Sequence, residues 1–190
     1  MKLKIKPFYL EDDIIILRDK LESDFDDYLT WHTKENEWMK WDAPWEKEKY
    51  KTMTIEEISQ EIRRLRFKDI SNIRTSAEIC LKDTTHIGWV GSYFIDKEEK
   101  KKLAIGIIIS AVSNRGNGVG TKAFKMWTDY LIEARNLDEI YFSTWSGNKI
   151  MINTGKKCGF KEFKRDKGIR VVDGEKFDKV LFKLIIEKER

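Results

Sequence analysis

Between Ile107 and Thr121 an apolar strand candidate runs through three alternating glycines and straight into an amphipathic helix. No other segment constrains the fold as tightly. Gly116, Gly118 and Gly120 let backbone N–H groups converge without Cβ obstruction, and the helix N-terminus adds the positive end of its dipole. Together they suit a pyrophosphate, although a tight strand-to-helix connection would use the same glycines for geometry alone. A P-loop requires Gly-Lys followed by Ser or Thr, whereas Gly120-Thr121-Lys122 has the wrong order. A dinucleotide fingerprint requires glycine where Thr121 stands, within an early βαβ unit, and this turn follows several strand candidates.

The flanking segments predict a mixed α/β layer fold. Met1–Lys6, Asp13–Arg18, Ala77–Leu81, His86–Ile95, Lys102–Ser110 and Glu139–Trp145 read as strands. Phe160–Lys167, Arg170–Val172 and Phe177–Ile186 follow, with Asp173-Gly174 as a hairpin turn. Helices are expected from Ser23 to about His32, after the capping-box pattern Thr54-Ile55-Glu56-Glu57, from Gly118 to Ala134, and over Asn148–Lys157. Val119, Ala123, Met126, Tyr130 and Ala134 are spaced for the buried face of the third. In the second, Ile55, Ile58, Ile62 and Leu65 keep helical spacing with Arg63, Arg64 and Arg66 turned outward.

The 190 residues, 41% of them hydrophobic and only 2 proline, fit one domain over 1–190 with a sizeable core. The longest apolar run without charge, Leu103–Val112, falls well short of the ~20 residues that span a bilayer. Met1–Phe8 alternates charged and apolar residues and holds no secretory core. Cys80 and Cys158 lie far apart, and two histidines are too few for a cluster, so no metal site is expected. These features predict a reduced, cytoplasmic protein without a membrane partner.

Arg115-Gly116-Asn117-Gly118-Val119-Gly120 closely resembles the Q/R-x-x-G-x-G/A signature of the GNAT superfamily of acetyl-CoA-dependent N-acetyltransferases. Trp145-Ser146-Gly147-Asn148 and Lys156-Lys157-Cys158-Gly159-Phe160 are similar to that family's later motifs. Leu17-Arg18-Asp19-Lys20 with Ser23-Asp24 resembles the start of its ribosomal-protein-acetyltransferase-like (RimJ/RimL) branch. The resemblance implies a GNAT fold, with a central, twisted, mostly antiparallel sheet flanked by helices. It implies acetyl-CoA as cosubstrate, with its pyrophosphate on the amides of Arg115, Gly116, Asn117, Gly118, Val119, Gly120 and Thr121. Its pantetheine arm would pair with backbone around Ile107 and Ile109, and Asn148 would contact the same arm. An N-cap is the plainer role for Asn148.

The family's usual proton donors are missing. A Tyr seven residues after the Asn would stand at Gly155, and a Ser three residues after it at Met151. Water, Asn148 or a group from elsewhere is left to protonate the CoA thiolate. For the base, Trp31, Trp38, Trp41 and Trp45 crowd near Glu35, Glu37, Asp42 and Glu46, a set suited to a cationic amine. Packing onto the core would use the same tryptophans. Asp42 is the preferred carboxylate, with an Asx turn into Pro44 as its alternative. Trp89 and Tyr93 share a strand face, lining the groove or packing. Isolated histidines such as His32 and His86 are more often structural, and both cysteines read as inert buried thiols.

The expected reaction moves an acetyl group to a primary amine, a protein N-terminus or a small cationic molecule, by direct attack in a ternary complex. A catalytically weakened CoA-binding regulatory module is the alternative. Lys156–Arg190 holds 12 Lys+Arg against 7 Asp+Glu, but acids intersperse the bases, which disfavours nucleic acid as a partner. The terminal strands could pair across a homodimer.

Overall fold

The computed structural model describes residues 6–46, 53–67, 71–96, 98–110 and 112–187. Short apolar-rich segments, continuously apolar in β5, make the strands β1 (Tyr9–Glu11), β2 (Ile15–Arg18), β3 (Ser76–Leu81), β4 (His86–Phe94) and β5 (Leu103–Ile109). Helices α1 (Asp24–Thr33) and α2 (Ile55–Arg66) stand among them. After the glycine turn come α3 (Val119–Arg135), β6 (Glu139–Trp145), α4 (Lys149–Lys157), β7 (Lys161–Val172) and β8 (Glu175–Ile185). The eight strands follow the order β1-β2-β3-β4-β5-β6-β8-β7 in a mostly antiparallel sheet. Strands β5 and β6 pair in parallel, with Ala104 opposite Tyr141. The predicted α/β class is the observed one. The Met1–Lys6 strand lies outside the described residues except for Lys6, which is in no strand, and β1 was not anticipated.

Packing divides the chain into two compact units. The first comprises residues up to Trp89 with Ile108–Arg115, and the second Val90–Ile107 with Gly116–Arg190. In the first, Tyr28, Trp31, Trp38, Met39, Ile58, Ile62 and Trp89 form an aromatic-rich core. Helix α2 enters it through Ile58 and Ile62, and its capping box closes as predicted, with both reciprocal Thr54–Glu57 bonds present. Ile55 and Leu65 remain exposed, against expectation. Arg66 is not turned out to solvent: its guanidinium lies 4.1 Å from the Trp89 ring centroid.

In the second unit, Phe124, Phe142, Phe160 and Phe182 interlock, with Phe142 stacked on Phe182 at 4.6 Å. The buried face of α3 is Val119, Ala123, Phe124, Trp127, Thr128 and Leu131, about one residue round from the predicted face. Phe124 and Trp127 offer far more apolar area than Met126 or Ala134, so their burial decides the rotation. The two predicted strands Phe160–Lys167 and Arg170–Val172 are one strand, β7, whose register shifts between Asp166 and Arg170 around the left-handed Gly168.

Candidate active site

The glycine turn presents backbone uncovered by side chains. Gly116 and Gly118 hold φ values of +87° and +80°, which side chains rarely adopt, and both are exposed. Nothing lies within 4 Å of where their Cβ atoms would stand. The first recorded intrahelical bond of α3 runs from Lys122 N–H to the Gly118 carbonyl at 3.0 Å. The amides of Val119, Gly120 and Thr121 therefore precede the ladder, at the positive end of the helix dipole. Gly118 as N-cap has no side chain to claim them. Amides at a helix start beside exposed glycines fit an anion such as a pyrophosphate.

Arg115 is folded back rather than extended. Its Nε donates to the Ile109 carbonyl at 3.0 Å and another nitrogen to the Ser110 carbonyl at 3.3 Å. A third nitrogen pairs with Glu37 at 3.5 Å. The side chain thus braces the end of β5, and the Ile109 carbonyl already has a partner. Along β5, burial relaxes from buried Leu103–Ile105 to half-buried Gly106–Ile109. Gly88 on β4 is needed there for a different reason: a Cβ would stand 2.0 Å from the Ile108 carbonyl oxygen. Ser110 is fully buried, and its hydroxyl has no hydrogen-bond partner among the described residues.

A family model for the acetyltransferase (GNAT) domain matches residues 15–161. The chain belongs to the GNAT acetyltransferase family. Solved structures share the fold of this GNAT N-acetyltransferase. The GNAT-family acetyltransferase of Bacillus anthracis superposes with a TM-score of 0.72 at 12% identity, over 94% of this chain and 98% of its own. Spermidine N-acetyltransferase from Vibrio cholerae, solved with CoA and spermine, gives 0.71 at 20% identity, covering 92% and 96%. The ribosomal-protein-S5-alanine acetyltransferase of Vibrio fischeri gives 0.71 at 19%, covering 94% and 96%. No curated protein matches the sequence.

In this acetyltransferase, Asn148 is 8% exposed and caps α4, its side-chain oxygen accepting from Met151 N–H at 3.0 Å. The N-cap role is therefore real. Gly155 is the helical position where the family's Tyr would stand. A Cβ there would lie 2.2 Å from two ring carbons of Phe142, so Phe142 occupies the space a side chain would need. Cys158 Sγ approaches the Thr121 carbonyl at 3.6 Å, and burial pushes its thiol up. Burial likewise takes Cys80 to about 11, so neither thiol is a ready nucleophile.

The tryptophan-rich segment does not form an open cage. Trp31 and Trp38 are 4% and 5% exposed, and the Trp38 indole N–H donates to the Trp31 carbonyl at 2.9 Å. Trp89 is buried too, and Arg66 already covers its face. Tyr93 is exposed. Trp41 and Trp45 are half-buried, beside the short 3₁₀ turns Asn36–Lys40 and Pro44–Glu46. Asp42 sits exposed between those turns, its amide bonded to the Trp38 carbonyl at 3.2 Å. Of the segment's carboxylates, Glu37 is the one paired with Arg115 of the signature. Burial lowers His32 to about 4, and its Nδ1 lies 2.7 Å from the Tyr28 carbonyl. A carbonyl only accepts, so Nδ1 carries the proton of a neutral ring.

Proposed function

We propose that the chain, acting as one catalytic domain of the RimJ/RimL-like branch, transfers acetyl from acetyl-CoA to a primary amine. The observation that carries this reading is the exposed glycine cradle running into α3, open where Cβ atoms would stand. The amides from Gly116 to Thr121 receive the pyrophosphate, with Arg115 bracing the strand that leads into them. Backbone at Ile107 and Ile109 pairs with the pantetheine arm, using amides because Arg115 holds the Ile109 carbonyl. The bound cosubstrate supplies an activated thioester. The amine nitrogen attacks its carbonyl carbon in a ternary complex, a C–N bond forms as C–S breaks, and the thiolate is reprotonated.

The attacking nitrogen must first lose a proton, because an ammonium has no lone pair. Asp42, exposed beside half-buried Trp41, is the proposed acceptor of that proton. Asn148 orients the arm while capping α4. With Gly155 pressed on Phe142, no Tyr can protonate the leaving thiolate from that helix position, and water takes the role. Neighbours of the same fold include enzymes for spermidine and for a ribosomal-protein alanine, which bracket the two acceptor classes, small cationic amine and protein N-terminus.

The test follows free thiol as acetyl-CoA is mixed with a panel of polyamines, amino acids and peptides with free N-termini. Thiol release that depends on an amine, with an acetylated product by mass, is the expected result. Tight CoA binding without transfer to any amine would replace the enzyme reading with a regulatory module.

A further inference from the structure

The first unit contains a titratable cluster that the reaction above does not use. His86, with its side chain 4% exposed, begins β4 and stands among three carboxylates. Its Nδ1 is 2.9 Å from Asp27 Oδ2 and 3.6 Å from Asp24 Oδ1. Its Nε2 is 3.0 Å from Glu78 Oε2 and 3.1 Å from the Gly88 carbonyl. A carbonyl and an ionised carboxylate can only accept, so both ring nitrogens must donate, and only imidazolium does so. We infer that His86 is a positioning residue, held as imidazolium, that fixes the acceptor side of the acetyltransferase by pinning α1 to β3 and β4.

The elements packed around His86 account for the charge. From α1 come Asp24, Asp27 and the Tyr28 hydroxyl, which donates to Glu78 at 2.6 Å. From β3 comes Glu78, and from β2 Arg18, bound to both Asp24 oxygens at 2.7 Å. Three carboxylates thus face two cations, and loss of one imidazolium proton would turn a ring lone pair onto a carboxylate, from Nδ1 onto Asp27 or from Nε2 onto Glu78. Burial alone would lower the His86 pKa, but the Glu78 hydrogen bond and the charges of Glu78 and Asp24 outweigh it, and the net shift is upward.

The path to the active site is one of direct contacts. The His86 ring lies 4.7 Å from Trp31, whose carbonyl accepts the Trp38 indole N–H. Trp38 adjoins Glu37, which pairs with Arg115 of the glycine signature. Fixing α1 therefore fixes the 3₁₀ turn that carries Glu37.

Asp24, Asp27 and His86 also present atoms within 4.8 Å of one another, close enough to grip a cation. A metal at Nδ1 would need the lone pair that the proton occupies, so the two assignments exclude each other.

The inference rests on the acetyltransferase reading for its effect on catalysis, but its first test does not. Nitrogen-15 NMR of the whole chain at pH 7.5 should show both His86 ring nitrogens protonated, where an ordinary imidazole, pKa about 6.5, is mostly neutral. A neutral tautomer there, or displacement of the ring proton by one equivalent of Zn²⁺, would overturn it. Glu78→Gln should move the His86 transition to lower pH. The alkaline limb of kcat/KM for one fixed amine should move with it, while the Kd for CoA changes less than about twofold. His86→Gln should raise the KM for the amine by about tenfold or more at pH 7, since small misplacements cost that much. A limb that stays put while the NMR transition moves would leave His86 without a positioning role. Absence of any transfer alongside a protonated His86 would instead count against the enzyme reading.

Discussion

The two units are stabilised by different chemistry although both cores are aromatic. In the second, four phenylalanines meet edge-on and face-on. In the first, tryptophan and tyrosine rings alternate with ionised groups: Arg66 over Trp89, His86 against Trp31, and Tyr28 bonded to Glu78. Apolar burial is indifferent to pH, whereas the bonds around His86 and Asp24 depend on protonation. The charged contacts woven into the first core are the ones expected to respond to pH. The polar-laced unit also carries Glu37, paired with Arg115, and the exposed Asp42.

The largest effect should come from the dry core. Phe142→Ala removes a fully buried ring that touches three other phenylalanines, and should cost about 3–5 kcal/mol. Thermal melts at pH 5 and pH 8 should show the same loss. A loss that varies strongly with pH would dissolve the contrast between the units.

Arg18→Met strikes the other core. It leaves Asp24, 2% exposed, without its bidentate partner, and breaking such a pair costs about 3 kcal/mol near neutrality. The sign with pH is fixed by Asp24. Burial would raise its pKa, but the hydrogen bonds from Arg18 and Leu21 and the charge of His86 outweigh that and hold it below 3.8. Its contribution is therefore present above pH 3.8 and lost as pH falls through the lowered folded value. The mutant's deficit should shrink in that acid range, where protonation neutralises the orphaned carboxylate. Urea melts at pH 3 and pH 7 make the measurement, and an equal deficit at both would show that Arg18 acts by packing.

Sequence carried the local features well. The capping box at Thr54, the β6 boundaries and the glycine turn running into α3 are written in neighbouring residues, where turn and cap chemistry operates. What it could not carry are pairings between residues far apart. His86 meets Asp27 across 59 positions and Arg115 meets Glu37 across 78. No spacing rule links such positions. Between the two readings open for the tryptophans, the fold decides Trp31 and Trp38 for packing in the first unit's core. Glu37 stood among the candidate carboxylates, and only the fold singles it out.

Gly155→Ala should have the smallest effect on stability of the three and says most about the missing acid. The added methyl would overlap the Phe142 ring, so the helix or the ring must shift, at about 1–3 kcal/mol. Phe142→Leu in the same chain should relieve the overlap. The double mutant should then be more stable than the sum of the single losses predicts, with a coupling of about 0.5–3 kcal/mol. Additive losses would show that the ring does not fill the space above Gly155. With coupling, the absence of a tyrosine there is a packing consequence: the dry core has claimed the space, and proton delivery must come from outside α4.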